Sequence, residues 1–278
     1  RHHLRYLRAM LHVKISLPSG RTESLSVPDS ATAGDLKMLA QQLFGQRFLR
    51  LVADGRILAH GESLQAALQD GAHINAVSLP VQVTATNCAF ALWSCGGNKV
   101  VTWGGPEHGE VSDQQCGVVQ VQASFGAFAA ILEDGSVVTW GDGAHGGDSS
   151  QVQAQLRRVE QLQSSVAAFG ARLADGSVVT WGDEGTGGDS SRVQEQLQGV
   201  EKLQASFGAF SAILADGSVV TWGSPKFGGD SSEVQDRLRN VQQIEATHTA
   251  FAAILADGSV VTWGNPEYGG DSSRVQDQ

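Results

Sequence analysis

Apolar and polar residues follow different patterns in the first quarter of the chain and in the remainder. Residues 11–17 alternate as a half-buried strand does, residues 32–43 place apolar side chains at helical spacing, and residues 50–58 form a strand and a tight turn. The first turn of the helical segment holds Thr32 and Asp35. We therefore predict a small α+β domain over residues 11–79.

From residue 81 onward the sequence repeats with a period of 41 residues. The string Asp-Gly-Ser-Val-Val-Thr-Trp-Gly occurs four times, and Gly-Gly-Asp-Ser-Ser follows each copy. A degenerate copy ending in Trp103-Gly104 precedes them. A fixed period of this length is typical of stacked repeat units. We divide this part into residues 81–120 (degenerate), 121–161, 162–202, 203–243 and 244–278 (truncated).

One unit shows how each repeat is expected to fold. Residues 203–207, 209–214 and 218–222 have strand patterns, and Asp216-Gly217 favours a hairpin because both residue types tolerate positive φ. The strand at 209–214 is apolar on both faces, so neighbouring units must cover both faces. Aromatic residues recur in two columns that we predict to form the repeat core: Trp103, Trp140, Trp181, Trp222 and Trp263, with Phe128, Phe169, Phe210 and Phe251.

The end of each unit has a helical pattern. A serine followed three residues later by Gln has the capping-box form. Apolar residues then recur at helical spacing, as at Val234, Leu238 and Val241. These features predict a short helix in each unit, with the caps Ser150, Ser191, Ser232 and Ser273.

The unit resembles the regulator-of-chromosome-condensation repeat, as in the arrays of HERC-type proteins. The likeness is carried by the alanine-containing strand, the Asp-Gly turn and the Val-Val-Thr-Trp-Gly strand, for example at residues 257–264. The Gly-Gln-Leu-Gly strand of that family is replaced by Gly-Gly-Asp-Ser-Ser and the helical segment. Five copies are too few for the family's seven-bladed ring, which leaves a partial β-propeller or an open solenoid as the expected mainly-β architecture.

Residues 11–79 resemble ubiquitin in the order and spacing of their elements, which implies a β-grasp fold. The family's exposed aliphatic patch falls on Pro18, Val52 and Val77, which are therefore candidate partner-binding residues. No Gly-Gly pair ends the module, so the resemblance implies an integral docking domain rather than a conjugated modifier. A domain kept for folding or spacing is the alternative.

Composition narrows the function classes. The 278 residues carry a net charge of -10, and residues 81–278 hold ten basic and 23 acidic side chains. This acidity disfavours nucleic-acid binding, which depends on neutralising phosphates. No apolar stretch is long enough to predict a membrane span. Three cysteines favour a reducing compartment, and hence a cytoplasmic or nuclear location. Residues 1–10 are interpreted as a basic leader or a fragment end.

Candidate chemistry is sparse in this sequence. The four aspartates of the Gly-Gly-Asp-Ser-Ser loops offer one carboxylate each, which favours capping over calcium binding. The cysteines Cys88, Cys95 and Cys116 lack the spacing of a zinc site. We find no catalytic constellation and predict neither a metal nor another cofactor.

We therefore expect a non-enzymatic interaction protein, in which the first module docks one protein and the repeats bind another. Its partners are expected to be proteins, with components of the ubiquitin pathway among the candidates, and neither nucleic acid nor membrane is expected. Two alternatives stay open. The chain is the substrate-binding, non-catalytic part of a HERC-type ubiquitin ligase, or it is a guanine-nucleotide exchange factor for a small GTPase.

Overall fold

A computed structural model describes residues 10–46, 49–78, 81–94, 100–105 and 117–275. The described chain divides into two compact parts. The first contains the residues up to Gln82 together with Trp93, Ser94, Val100 and Gly117, and the second contains residues 83–92, 101–105 and 118–275. No helix among the described residues has the length and apolar character required to cross a bilayer.

The first module, residues 10–78, is a mixed five-stranded sheet with a helix packed on one face. The strand order is β2-β1-β5-β3-β4, and β1 pairs antiparallel with β2 and parallel with β5. This arrangement is the predicted β-grasp fold. Its elements are β1 Met10–Ser16, β2 Thr22–Pro28, α1 Ala33–Phe44, β3 Leu49–Ala53, β4 Arg56–Ile57, α2 Leu64–Ala67 and β5 Ala72–Ser78.

The core of this module follows from the alternation in its strands. Ile15, Leu51 and Ile74 turn one way and are buried against Leu36 of α1. Helix α1 begins with a complete capping box: Asp35 N–H donates to Thr32 Oγ1, and the Asp35 carboxylate accepts from Thr32 N–H at 2.8 Å. Both ends of the box satisfy backbone groups that the helix leaves unpaired.

The repeat array is a series of three-stranded antiparallel sheets, each in simple sequence order. This confirms the mainly-β repeat predicted from the 41-residue period. The strands are β6 Val81–Ala85, β7 Ala89–Ser94, β8 Val101–Gly104; β9 Val118–Ala123, β10 Ala127–Leu132, β11 Val137–Gly141; β12 Val159–Ser164, β13 Ala168–Leu173, β14 Val178–Gly182; β15 Val200–Ala205, β16 Ala209–Leu214, β17 Val219–Gly223; β18 Val241–Ala246, β19 Ala250–Leu255 and β20 Val260–Gly264. We call these sheets units 1 to 5.

From unit 2 to unit 5, adjacent units are joined by an aromatic pair that packs on a glycine of the preceding unit. Within unit 4, Phe210 and Trp222 stack with ring centroids 5.3 Å apart. Trp222 Nε1–H donates to the carbonyl of Gly187 in unit 3 at 3.1 Å, and a Cβ added at Gly187 would lie 2.5 Å from the Phe210 ring. Gly187 has φ +100°, so glycine is required there for both space and conformation. Equivalent contacts join Trp181 to Gly146 and Trp263 to Gly228.

A second set of contacts runs along the first strands of neighbouring units. The Gln161 side-chain amide bonds both backbone groups of Leu203, donating to its carbonyl at 2.9 Å and accepting from its N–H at 3.0 Å. Backbone bonds between successive turns form a ladder, from Asn87 to Phe125, Val166, Phe207 and His248. Each unit is thus fixed to the next through backbone groups as well as packing.

The Asp-Gly turns differ in geometry from the prediction. Gly217 has φ +77°, but Asp216 is not among the residues with positive φ. The loop instead closes by bonds from Gly217 N–H to Leu214 O and from Leu214 N–H to Ser218 O. Asp216 accepts from Ser218 N–H and Oγ–H. The aspartate is therefore selected for its side-chain hydrogen bonds, as in other Asx-type turns.

The predicted short helix of each unit contains no α-helical turn in the described residues. It is a 3-10 helix at Ser232–Arg237 and Ser273–Val275, and a run of turns at 150–155 and 191–196. A segment this short cannot offset the cost of α-helix nucleation. Further 3-10 helices lie at Gly143–His145, Glu184–Thr186, Pro225–Phe227 and Pro266–Tyr268.

The aromatic columns are buried in units 2 to 5, where Phe128, Phe169, Phe210 and Phe251 are almost fully covered. Trp103 departs from the predicted core, because its side chain is 49% exposed. It has no preceding repeat unit whose glycine loop could cover it. Trp140 is buried, and its Nε1 has no hydrogen-bond partner among the described residues.

This difference between tryptophans makes a prediction. Trp222→Ala should lower the free energy of unfolding by about 3–5 kcal/mol, because it leaves a cavity and an unpaired carbonyl. Trp103→Ala should cost less than about 1.5 kcal/mol, because half of its surface is already in water. Urea denaturation of dilute protein measures both. Equal losses in the two variants would contradict the packing described above.

Candidate functional site

The outward face of the β-grasp sheet carries an exposed group of branched aliphatic side chains. Val52 lies opposite Asn75 of β5 and opposite Ile57 of β4. Val77 follows Asn75 by two residues and therefore points to the same side as Val52, at a diagonal position. Val77 is 38% exposed and Val52 is half-buried. We call Val52, Ile57 and Val77 the aliphatic face.

Two of the three residues of the predicted patch lie on this face. Val52 and Val77 lie together, whereas Pro18 lies in the exposed turn after β1, two residues beyond Ser16. Ser16 pairs with Asn75, so Pro18 lies beyond the end of the strand that flanks β5. Pro18 is exposed, and it follows β1, the strand that pairs with β5, which carries Val77.

Ile57 was missed by sequence reasoning and is 48% exposed. Its strand is only two residues long, which leaves too short a pattern to read from sequence.

Basic groups border the aliphatic face. Arg50 pairs with Val77, and Lys14 of β1 pairs with His73 of β5. The opposing charge near this border is Asp70, which accepts from His12 N–H at 2.7 Å. That backbone donation, together with the His12 ring, lowers the pKa of Asp70. The face is therefore apolar at its centre and mainly cationic at its border.

In the repeat array, a polar network links each third strand to the loop that follows it. Ser231 Oγ lies 3.0 Å from Thr221 Oγ1 and donates to Gln235 Oε1 at 2.8 Å. Gln235 Nε2–H in turn donates to the carbonyl of Val219 at 2.9 Å. Units 2 and 3 repeat the same network around Ser149 and Ser190.

This network corrects the predicted helix caps. Ser232 begins a 3-10 helix, whose N-cap position is Ser231, and no side-chain cap bond forms there. Ser150, Ser191, Ser232 and Ser273 instead donate their backbone N–H to the aspartate two residues earlier. The structurally important serine is the preceding, buried one, since its hydroxyl joins the threonine and the glutamine.

Two rows of aspartates recur along the array. One row lies at the hairpin turns and the other in the Gly-Gly-Asp-Ser-Ser loops. Hydrogen bonds from Ser218 Oγ–H and N–H lower the pKa of Asp216, and Ser232 N–H and Oγ–H lower that of Asp230. The same causes act at Asp134, Asp175, Asp257, Asp148, Asp189 and Asp271. These carboxylates are anionic at neutral pH.

A groove of about 670 Å³ lies between the last two units, and it is lined by Asp230, Glu233, Arg237, Trp263 and Asp271 among others. Its charged lining is mainly acidic. Within the described ranges, no group of three or more His, Cys, Asp or Glu side chains is placed to hold a metal ion. The cysteines Cys95 and Cys116 lie outside those ranges, and Cys88 is exposed.

Comparisons with known proteins were made for sequence and for structure. No family model matches the chain, and no curated protein matches it. Human WBSCR16 is similar with a TM-score of 0.44 and 18% identity, over 69% of this chain and 65% of its own. Yeast RCC1 (Prp20), solved bound to Kap60, is similar with a TM-score of 0.45 and 16% identity, over 67% of this chain and 56% of its own.

The first module has a separate match. Caldiarchaeum subterraneum ubiquitin is similar with a TM-score of 0.25 and 23% identity, over 26% of this chain and 98% of its own. The chain spans less than two thirds of the length of the two repeat proteins that it resembles.

The turn aspartates predict an acid dependence of stability. A folded-state pKa below the unfolded value of about 3.9 adds stability above that pH, and this stability is lost as pH falls through the folded value. Ser218→Ala removes the largest cause of the shift at Asp216. We expect the variant to be less stable at neutral pH and to lose less further stability below about pH 4.

Unfolding free energies at a series of pH values, from urea denaturation, test this dependence. Ser224→Ala is the matched control, because the Ser224 side chain makes no cap hydrogen bond. Its acid dependence should follow that of the unaltered protein. Identical acid dependence in Ser218→Ala would refute the role given to this hydrogen bond.

Proposed function

We propose that the protein is a non-enzymatic interaction protein with two separate binding surfaces. The β-grasp module, which is similar to ubiquitin, docks one protein through its aliphatic face. The repeat array binds a second protein. The observation that carries the proposal is the exposure of Ile57 and Val77 beside half-buried Val52, on a rigid sheet with a cationic border.

The aliphatic face suits a protein partner for two reasons. Its three residues are β-branched and lie on paired strands, so docking costs little side-chain entropy. The aliphatic face consists of only three side chains, and an interface of that size is typical of a weak, reversible complex with a complementary apolar surface. Because Lys14 and Arg50 border it, the partner that fits best carries acidic residues around an apolar centre.

The array offers a surface of opposite character. With ten basic and 23 acidic side chains, residues 81–278 carry a charge of -13. Part of that charge recurs at regular intervals, because each of units 2 to 5 carries one aspartate at its hairpin turn and one in its Gly-Gly-Asp-Ser-Ser loop. Stacked units make extended surfaces of this kind. A basic protein segment is the partner class that complements it.

The two alternatives would assign further roles to these surfaces. As the non-catalytic part of a HERC-type ubiquitin ligase, the array would hold a substrate. As a guanine-nucleotide exchange factor, it would accelerate nucleotide release from a small GTPase. A catalytic cysteine domain encoded in the same transcript would promote the first alternative, and accelerated nucleotide release from a purified GTPase would promote the second.

The proposal predicts the effect of Val77→Asp on binding. A purified helical ubiquitin-receptor domain with an apolar centre and acidic border should bind the full chain. The substitution should weaken binding more than ten-fold, about 1.4 kcal/mol or more, because it places a carboxylate against both the apolar centre and the acidic border. Isothermal titration calorimetry measures the Kd.

Met38→Asp is the matched control, since Met38 is 55% exposed on α1, a different element of the same module. Its Kd should stay within two-fold of the unaltered value, about 0.4 kcal/mol. Melting temperatures verify that both variants are folded. The proposal fails if the two substitutions weaken binding equally, or if the unaltered chain binds no such domain.

A further inference from the structure

The side chain that links the first strands of neighbouring units changes in unit 4. Its register position is held by Gln120 and Gln161 in units 2 and 3, and by Lys202 in unit 4. The Gln161 carboxamide bonds both backbone groups of Leu203, at 2.9 Å and 3.0 Å, and Gln120 Nε2–H donates to the carbonyl of Leu162 at 3.3 Å. At these two junctions, a primary carboxamide is therefore the group that pairs with the edge of the next first strand.

Lys202 cannot reproduce this pairing, because an ammonium group donates hydrogen bonds and accepts none. Its Nζ donates instead to the carbonyl of Gln242 at 2.9 Å. Ile244 holds in β18 the register position that Leu203 holds in β15, so its N–H and carbonyl point to the same edge of the sheet. Within the described part of the chain, neither group has a hydrogen-bond partner outside its own sheet. A donor and an acceptor thus remain at the spacing that one carboxamide bridges at Leu203.

Ile244 also lines a cavity of about 260 Å³ between the first strands of units 3, 4 and 5. The floor of the cavity is buried, since Leu203, Ser211 and Ile213 are 2%, 1% and 4% exposed. Its volume is about that of nine water molecules at roughly 30 Å³ each, which is enough for a carboxamide and its methylene stem. Side chains of Gln163 and Gln204 add polar groups to the walls.

Ser211 brings an unpaired hydroxyl to the same cavity. Its Oγ has no hydrogen-bond partner among the described residues, although the residue is almost fully buried. The equivalent positions in units 2, 3 and 5 hold Ala129, Gly170 and Ala252, which have no polar side chain. A buried hydroxyl without a partner is destabilising unless another group completes its hydrogen bond. Unit 4 therefore departs from the other units at two positions, Lys202 and Ser211, and both line one cavity.

We propose that this cavity binds a primary carboxamide, the group that glutamine carries, either in the free amino acid or as a side chain of a polypeptide. The carboxamide oxygen accepts from Ile244 N–H and the NH₂ group donates to the Ile244 carbonyl, as in the pair formed by Gln161 and Leu203. The Ser211 hydroxyl completes the hydrogen bonds of the same amide, and the methylene stem packs on Ile213. This site is separate from the aliphatic face and does not depend on the net charge of the array.

The proposed pairing discriminates between a carboxamide and a carboxylate of the same shape. A carboxylate only accepts hydrogen bonds, so it would place an oxygen against the carbonyl of Ile244. A site whose buried polar groups require a donor rejects an analogue that lacks one. Glutamine and glutamate are therefore the pair of probes that tests the chemistry.

Ligand-detected NMR titrations of the full chain measure binding of L-glutamine, L-glutamate and the blocked tripeptide acetyl-Gly-Gln-Gly-amide. Glutamine should bind with a Kd of about 1 mM or tighter, as expected for a ligand of this size. Glutamate should bind at least ten-fold more weakly. Tighter binding of the tripeptide than of glutamine would identify a polypeptide as the source of the carboxamide, and the reverse order would identify the free amino acid.

Two variants test the residues of the site. Lys202→Gln should abolish glutamine binding and raise the melting temperature, because its own carboxamide would then occupy Ile244 as Gln161 occupies Leu203. Ser211→Ala should weaken binding at least three-fold, and its melting temperature verifies that it is folded.

Lys226→Gln is the matched control, since it makes the same change of charge at an exposed lysine of unit 4 that does not line the cavity. Its Kd should stay within two-fold of the unaltered value. The proposal is overturned if the unaltered chain binds neither glutamine nor the tripeptide, or if glutamate binds as tightly as glutamine. Unchanged glutamine affinity in Lys202→Gln or Ser211→Ala would overturn it as well.

Discussion

The packing of a Phe–Trp pair on a left-handed glycine of the preceding unit is the contact on which the array depends. Without a Cβ, the glycine lets the Phe ring approach its backbone, and its carbonyl receives the Trp Nε1–H, so one position serves both packing and hydrogen bonding. The same contact also constrains the hairpin that carries the aromatic pair. Trp222 pairs with Phe210 across β16 and β17, which fixes the register of the hairpin. It also fixes the period, because the glycine must recur at a constant distance from the tryptophan.

The glycine that follows Trp222 in β17 shows a second close approach between backbones. Gly223 pairs with Ala209, and a Cβ added at Gly223 would lie 2.8 Å from the Ala209 Cα. Ala209 is itself fully buried. The alanines and the Trp-Gly pairs are therefore two sides of one steric requirement. A Cβ at Gly223 would also lie 3.3 Å from the Gly187 Cα, so the same glycine allows the preceding unit to approach this strand.

The sequence predicted those parts of the fold that are recorded in local pattern. Alternation and the 41-residue period identified the hairpins and the aromatic columns, and the resemblance to ubiquitin identified the β-grasp module. Features that depend on tertiary contacts could not be predicted from local pattern. Trp103 is exposed although it lies in the same column as the buried tryptophans, and the role of Ser231 follows from contacts with Thr221 and Gln235. The capping-box spacing selected Ser232, because Gln235 lies three residues after it, whereas the observed side-chain bond to Gln235 comes from Ser231 at a spacing of four.

The residues of the candidate binding surface were likewise only partly predictable from the sequence. Val52 and Val77 were found through resemblance, whereas Ile57 is recognisable only once β4 is seen to pair with β3. Their surroundings have opposite electrostatic characters: the aliphatic face has a cationic border, and the array carries -13 over residues 81–278. One partner of uniform charge cannot complement both surfaces, since a basic segment suited to the array would be repelled by Lys14 and Arg50. The charge distribution therefore argues for two distinct protein partners, one for each part of the chain.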